Sequence, residues 1–208
     1  MLIINNKALK VGNKWLNPVV TPEPTPPGPT FDEVTIGTQT WATTNLAIDD
    51  GQGGIYVKDN VTANGVNLGT QYYYSIQAAN RIVNNINGWH IPSTAEWQTL
   101  FNTVNDLTKI TSTSGWPSGY NGTNELGLNI LPVGEVANDA SYTLSPGWTS
   151  FWTSTVGDAA QPSGNFQGYI MIYNNAYNVV DNAYTTLEQA QVWNQINYFP
   201  PVRLIKDT

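Results

Sequence analysis

The clearest structural signal in the chain lies in residues 88–97, which read Gly-Trp-His-Ile-Pro-Ser-Thr-Ala-Glu-Trp. Within it, Ser93 and Glu96 form the S-x-x-E pattern of a helix capping box, directly after a proline. The apolar residues that come next recur at intervals of three and four, so they share one helix face. They are Trp97, Leu100, Phe101, Val104 and Leu107. The pattern predicts an amphipathic helix that starts after Ser93 and buries this face.

A second helix is predicted upstream. Ser75 is a suitable N-cap, and Asn87-Gly88 is a typical helix end. The apolar residues between them keep helical spacing and are Ile76, Ala79, Val83 and Ile86. From about Ser112 onward, short apolar runs alternate with Gly, Pro and Asn turns, which favours strands. Two helices followed by a long irregular β region indicate an α+β domain.

The charge balance argues against several classes of function. The 208 residues carry 15 Asp and Glu against 8 Lys and Arg, so the net charge is −7. Such a surface does not favour nucleic acid, whose phosphates attract basic side chains. With no cysteine and one histidine, thiolate or histidine-rich metal sites and most Ser-His-Asp chemistry are hard to build. We therefore expect a protein that is not an enzyme and has no catalytic residues, no nucleic-acid partner and no membrane insertion.

A proline-rich stretch divides the chain. Residues 21–30 contain five prolines, which favours an extended, semi-rigid linker between residues 1–20 and a main domain over residues 31–208. Turn dipeptides separate short apolar runs in the N-terminal segment, which indicates β-segments too few to fold alone.

We expect the apolar side chains of residues 1–20 to anchor the chain to a partner protein or to sister chains. They are Leu2, Ile3, Ile4, Leu9, Val11, Trp15 and Leu16. The alternative is that this segment folds back onto its own domain. The run Leu2–Ile4 is too short for the apolar region of a signal peptide, so we expect no secretion by that route.

Five blocks follow one another in an order typical of one family. They are residues 36–46 (Ile-Gly-Thr-Gln-Thr-Trp-Ala-Thr-Thr-Asn-Leu), residues 88–97, residues 131–134 (Leu-Pro-Val-Gly), residues 151–155 (Phe-Trp-Thr-Ser-Thr) and residues 202–207 (Val-Arg-Leu-Ile-Lys-Asp). Together they resemble the Fibrobacter succinogenes major paralogous domain family over roughly residues 33–208. The resemblance implies a C-type-lectin-like fold, of the type found in formylglycine-generating enzymes and variable phage adhesins.

The chain departs from that family's pattern at its cysteines. Members often carry them before the Gly-Trp-His block and after the terminal arginine, where this chain has Leu204. The loss excludes formylglycine-generating chemistry, which needs cysteine, and fits a protein assembled in the cytosol. A virion component and a cytosolic host protein fit this point equally.

Several residues of the blocks are expected to have structural roles. We expect Trp41, Trp89, Trp97 and Trp152 to be core rings. His90 is interpreted as a buried, hydrogen-bonded imidazole rather than a ligand, and Arg203 as the partner in a structural ion pair.

A calcium site of the lectin type is not expected. Residues 161–163 (Gln-Pro-Ser) and 193–195 (Trp-Asn-Gln) resemble elements of calcium-dependent lectins, but both lack the acid at the third position. Calcium takes six to eight oxygen ligands, usually including several carboxylates. Asp49 and Asp50 lie in a Gly-rich loop and are candidates for binding a cation, but turn formation explains these residues equally well. We therefore expect neither a metal nor a cofactor.

The segment 165–198 is the candidate binding surface. Asn and Tyr fill 12 of its 34 positions, about twice their frequency in the whole chain. Tyrosine offers a large contact area at low entropy cost, and asparagine offers adaptable hydrogen bonds, a pairing that paratopes use. The predicted ligand-binding residues are Tyr173, Asn174, Asn175, Tyr177, Asn178, Tyr184, Trp193, Asn194 and Tyr198. The resemblance to variable phage adhesins implies that this segment is diversified; the alternative is a Tyr-rich strand pair with Asn turns.

These observations lead to a hypothesis for the whole chain. We expect a bacteriophage virion protein, a fibre or decoration protein, that attaches to a capsid or tail protein through residues 1–20. Its lectin-like head would bind a bacterial-surface glycan or protein, with avidity from a homo-oligomer, a trimer by analogy with fibres. The alternatives are a structural capsid or tail component without receptor binding, and a bacterial surface protein of the same family.

Overall fold

The computed structural model describes residues 9–11, 14–16, 28–138, 143–144, 146–156, 166–184 and 197–208. The helices are α1 (Ile76–Val83) and α2 (Thr94–Val104), and Leu107–Lys109 form a 3-10 turn. The strands are β1 (Leu9–Val11), β2 (Lys14–Leu16), β3 (Glu33–Ile36), β4 (Gln39–Ala42), β5 (Ile55–Lys58), β6 (Thr62–Ala63), β7 (Val66–Asn67), β8 (Gln71–Tyr74), β9 (Trp89–His90), β10 (Val136–Asn138), β11 (Thr143–Leu144), β12 (Thr149–Val156), β13 (Phe166–Tyr173), β14 (Ala176–Tyr184), β15 (Asn197–Phe199) and β16 (Ile205–Lys206). Two helices among several small antiparallel sheets confirm the α+β class. Neither helix has the length and apolar character that crossing a bilayer would require.

Helix α2 forms where the capping box predicts it. The Ser93 side chain accepts a hydrogen bond from the Glu96 backbone N–H, and the Glu96 carboxylate accepts one from the Ser93 backbone N–H. These bonds satisfy two of the amides that a helix leaves unpaired at its start. The helix ends at Asn105, which adopts the left-handed conformation with φ 52°. The predicted apolar residues Trp97, Leu100, Phe101 and Val104 are all buried.

Helix α1 begins as predicted but ends earlier. Ser75 caps it by accepting from the Ala78 N–H. The last helical residue is Val83 rather than a residue next to Asn87-Gly88, because the next two turns close by shorter i→i+3 bonds, Asn85 N–H to Ile82 and Ile86 N–H to Val83. Ile86 is nevertheless buried, so the apolar spacing there reports burial and not helix.

A four-stranded sheet joins both ends of the main domain. Its order is β3-β4-β16-β9, so the C-terminal strand lies between the first hairpin and the Trp89–His90 strand. Ile205 of β16 pairs with Trp41 on one side and with His90 on the other. Three of the five sequence blocks therefore meet in one sheet.

The core is built around Trp97. Its ring contacts those of Trp41, Phe101 and Phe151, with centroid distances of 4.7, 5.6 and 5.2 Å. Trp41, Trp97 and Trp152 are buried as expected. Trp89 is only half-buried and packs edge-on against Phe31. Aromatic burial of this extent supplies a large apolar area without disulfides.

The N-terminal segment contains a short hairpin. Strands β1 and β2 pair antiparallel, with Leu9 opposite Leu16 and Val11 opposite Lys14. Of the predicted anchoring residues, Leu9, Val11, Trp15 and Leu16 lie in these strands, whereas Leu2, Ile3 and Ile4 lie outside the described residues, as does most of the linker. Their anchoring role remains a prediction.

Candidate functional site

The Asn- and Tyr-rich segment forms part of a three-stranded antiparallel sheet, β12-β13-β14. Strands β13 and β14 are joined by Asn174 and Asn175, which have φ values of 47° and 56°. Two consecutive residues with positive φ are the mark of a tight hairpin turn that matches strand twist, and asparagine tolerates this conformation well. The predicted alternative, a Tyr-rich strand pair with an Asn turn, is therefore what this part of the segment adopts. The turn also places its neighbours beside a groove.

The groove has a volume of about 630 Å³ and receives side chains from four separate parts of the chain. They are Asn64, Pro117, Pro146, Gly147, Trp148, Met171, Tyr173, Asn174 and Asn178. None of these lining residues is charged. Two aromatic rings, a thioether and three amides thus form a neutral surface that offers both stacking area and hydrogen bonds.

Local hydrogen bonds position the groove walls. The Gly134 N–H donates to the Trp148 carbonyl at 2.6 Å, and the Gly147 N–H donates to the Pro132 carbonyl at 3.0 Å. On the opposite wall, Asn64 Nδ2 donates to the Gly115 carbonyl at 2.8 Å. These bonds tie the backbone at Gly147 and Trp148 and the Asn64 amide to the domain before any ligand arrives.

Tyr173 is the aromatic residue of the predicted binding set that lines the groove, and 37% of its surface is exposed. Asn178 Nδ2 donates to its hydroxyl at 3.3 Å. This bond restrains the ring, and the hydroxyl keeps a second lone pair and its own O–H for other partners. Three predicted binding residues, Tyr173, Asn174 and Asn178, therefore share one groove.

The other predicted binding residues lie elsewhere. Tyr177 stacks on Phe101 with a centroid distance of 4.0 Å, and its hydroxyl accepts a hydrogen bond from Gln98 Nε2 at 2.9 Å. Its ring therefore attaches the sheet to α2 rather than facing the groove. Asn175 is a turn residue, and Tyr198 is 41% exposed on β15 without lining the groove. Tyr184 is the last residue of β14, and Trp193 and Asn194 lie outside the described residues.

Sequence reasoning missed more than half of the groove. Five of the missed residues belong to segments that no pattern connects to residues 165–198: Asn64, Pro117, Pro146, Gly147 and Trp148. The sixth, Met171, lies within that range but is neither Asn nor Tyr. One available signal was Trp148 directly after Pro146-Gly147, since proline and glycine mark loops, and loops run over the surface.

A second polar cluster surrounds His90. Its Nδ1 lies 2.7 Å from an Asp207 oxygen and its Nε2 lies 2.9 Å from a Glu96 oxygen. Burial lowers the pKa of His90, but the hydrogen bonds to Glu96 and Asp207 outweigh it, so the pKa is raised overall. The imidazole is hydrogen-bonded as expected, although 39% of its side chain is exposed. The cluster ties the C-terminal strand to the start of α2.

No group of three or more His, Cys, Asp or Glu side chains converges as metal ligands in the part of the chain that the structure describes. Asp50 instead pairs with Arg81, whose Nε and Nη2 donate to its two oxygens at 2.6 and 2.9 Å. The Arg81 hydrogen bond lowers the pKa of Asp50 to about 2. These groups therefore fasten a loop to α1.

In the part of the chain that the structure describes, Arg203 does not form the ion pair that the sequence suggested. Its side chain is buried, and Nη1 donates to the backbone carbonyls of Ala42 and Leu128 at 2.9 and 3.1 Å. The guanidinium lies 5.8 Å from the centroid of the Phe151 ring. Among the described residues it forms no salt bridge with a carboxylate. Carbonyl dipoles and an aromatic face take the place of the expected anion.

A family model described as the Fibrobacter succinogenes major domain matches residues 34–206. The matched range includes all of the groove residues and the whole four-stranded sheet apart from Glu33. No curated protein and no solved structure is significantly similar to the chain.

Proposed function

The chain belongs to the Fibrobacter succinogenes major domain family, and from this membership and the groove we propose a binding protein that recognises a bacterial-surface glycan. The domain would have a C-type-lectin-like fold, as the family resemblance implies. In this proposal it is the head of a bacteriophage fibre or decoration protein, and its task is adhesion to the host and not catalysis.

The groove between Trp148 and Tyr173 is the observation that carries this proposal. Sugar rings present apolar C–H faces edged by hydroxyl groups, so they are bound by aromatic rings flanked by hydrogen-bonding amides. Trp148 and Tyr173 supply the rings, and Asn64, Asn174 and Asn178 supply the amides. An uncharged lining favours a neutral stretch of glycan, because a charged ligand would lose hydration without gaining a counter-charge.

The remainder of the chain supports a tethered arrangement. A hairpin of two three-residue strands, β1 and β2, precedes a proline-rich stretch, whose composition favours an extended linker before the main domain. In the proposal, residues 1–20 attach the head to a capsid or tail protein and to sister chains. A single open groove binds weakly, so a homo-oligomer, a trimer by analogy with fibres, would supply avidity.

Selective treatment of bacterial cells tests the ligand class. The full chain, fluorescently labelled, is incubated with cells that have been oxidised with periodate, digested with protease or left untreated. We expect periodate to abolish binding and protease to leave it unchanged. Loss of binding after protease alone would identify a protein receptor, and no binding to any cells that adsorb the assembled particle would favour a structural capsid or tail role.

A further inference from the structure

A second pocket lies on the domain and shares no lining residue with the groove. Its volume is about 320 Å³, at the lower end of the ~300–1,000 Å³ range of ligand sites. Segments 43–47 and 70–72 contribute most of its wall, and Arg203 lies at its floor with Leu46 and Gln71, all three buried. None of the described lining residues is acidic.

The buried arginine makes this pocket unusual. Arg203 is 1% exposed, both of its described hydrogen bonds are donated by Nη1, and its Nε has no partner among the described residues. Burial lowers the pKa of its guanidinium to about 9, which still leaves it charged at neutral pH. A buried charge is costly unless a counter-charge and full hydrogen bonding compensate it. Here backbone carbonyls provide only part of that compensation.

Asn45 adds a second unsatisfied group to the same pocket. Its Oδ1 and Nδ2 atoms are both buried without a hydrogen-bond partner among the described residues. By contrast, the Gln71 amide in the same wall donates from Nε2 to the Leu68 carbonyl at 2.7 Å. Buried polar groups are paired in the great majority of cases, so two unpaired ones around one pocket call for an explanation.

We propose that this pocket binds a small organic carboxylate, which accepts hydrogen bonds from Arg203 and from the Asn45 amide. A carboxylate matches the planar donor geometry of a guanidinium and supplies the missing negative charge. The unpaired atoms lie below the accessible surface, so occupancy requires both side chains to shift until Asn45 Nδ2 and Arg203 Nε face the ligand. This site does not depend on the proposed groove function.

The residues at the rim of the pocket favour a carboxylate that also carries hydroxyl groups. Thr44 and Thr70 are exposed at the mouth and Thr43 is half-buried, so hydroxyl groups surround the entrance. Hydroxyl groups on a ligand can exchange hydrogen bonds with these side chains. A hydroxylated acid such as glucuronate therefore fits better than acetate, and uncharged glucose lacks the group that Arg203 requires.

Equilibrium binding of simple acids to the full chain tests the proposal. Sodium acetate, sodium glucuronate and glucose are titrated at constant ionic strength and neutral pH, with calorimetry and the thermal midpoint as readouts. We expect saturable binding and a raised midpoint with glucuronate, a weaker response with acetate and none with glucose.

Two variants and one control locate the site. Asn45→Asp places a carboxylate in the wall of the pocket that Arg203 also lines, and we expect it to weaken glucuronate binding at least about tenfold, the loss typical of removing a charge-assisted bond. Ala47→Trp, at an exposed position on the rim, should close the mouth and abolish binding without disturbing the core. Asn121→Asp makes the same change of charge outside the pocket and keeps the acceptor for the Trp116 N–H, so it should bind like the wild type.

Three results would overturn the proposal. They are no saturable binding of either acid to the wild type, equal binding of glucose and glucuronate, and unchanged binding in a folded Ala47→Trp variant. If Asn45→Asp fails to fold by circular dichroism, Ala47→Trp decides alone. Failure of the proposed cell adhesion would leave these outcomes unaffected, because the groove and this pocket share no lining residue.

Discussion

At the residue scale, the asparagines of this chain have two roles that composition cannot separate. Every described non-glycine residue with positive φ is an asparagine. These are Asn60, Asn64, Asn105, Asn124, Asn129, Asn174 and Asn175. Asparagine tolerates the left-handed region because its short side chain can bond to the local backbone. Amide richness, which suggests a hydrogen-bonding surface from sequence alone, is thus partly a requirement of turns, and only Asn64 and Asn174 of these also line the groove.

His90 makes stability depend on pH. Its pKa is raised in the folded state, so its contribution is fully present below the unfolded-state value of about 6.5 and is lost as the pH rises through the folded-state pKa. Because the His90 side chain is partly exposed, its contribution is small. We expect the free energy of unfolding of the wild type to exceed that of His90→Gln by about 0.5–1 kcal/mol near pH 5.5 and by less near pH 9. Urea unfolding measures both differences. A difference that stays constant with pH would contradict this role.

We expect the contribution of Glu135 to stability to fall with rising pH, as that of His90 does, but for a different reason. Burial raises its pKa to about 7, although Ser150 Oγ donates to Oε2 at 2.7 Å. The protonated form is favoured in the folded state. The contribution of Glu135 to stability is therefore greatest below about pH 4.5 and falls as the pH rises to about 7. The advantage of wild type over Glu135→Gln should fall by about 3 kcal/mol across that interval. Denaturant titrations at several pH values test this, and parallel curves for the two proteins would refute it.

At the scale of elements, local signals predict what local forces decide. The capping box and the apolar spacing locate α2 correctly because both act within a few residues. The end of α1 is predicted wrongly because Ile86 is buried through short turns after the helix stops, and spacing alone cannot distinguish the two cases. The pairing of β16 with β4 and β9 spans most of the chain, so no local pattern indicates it.

The cap of α2 should contribute measurably to stability. Ser93→Ala removes the acceptor for the Glu96 N–H and the hydroxyl that donates to the Glu96 carboxylate. We expect the free energy of unfolding to fall by about 1–2 kcal/mol. Ser118→Ala, at an exposed position outside the helices, should change it by less than about 0.5 kcal/mol. Equal effects of the two substitutions in chemical denaturation would show that the cap is dispensable.

At the scale of the whole molecule, the binding groove is a product of the fold. It collects Asn64, Pro117, Trp148 and Tyr173 from four separate segments. The sequence predicted Tyr173, Asn174 and Asn178 because aromatic and amide residues are dense in β13, β14 and their turn. It could not predict the others, since their meeting depends on which sheets pack together. It also assigned Tyr177 to the ligand, although that ring packs on Phe101.

The proposed division between anchor and head can be tested by truncation. The five prolines of residues 21–30 favour a linker between two separate segments, so we expect a chain lacking residues 1–20 to remain soluble with a thermal midpoint close to that of the full chain. The same truncation should abolish attachment to the particle, measured by co-sedimentation with particles that lack this protein. Aggregation of the truncated chain would argue that the segment completes the domain instead.

The most direct test of the central claim is the affinity of the full chain for isolated bacterial-surface polysaccharide, measured for wild type, Tyr173→Ala and Tyr120→Ala. Tyr120 and Tyr173 are equally exposed, at 37%, and only Tyr173 lines the groove. If the groove binds glycan, Tyr173→Ala should weaken binding by about tenfold, the worth of one stacked ring, and Tyr120→Ala should leave it unchanged. Equal affinity of all three proteins would contradict the account.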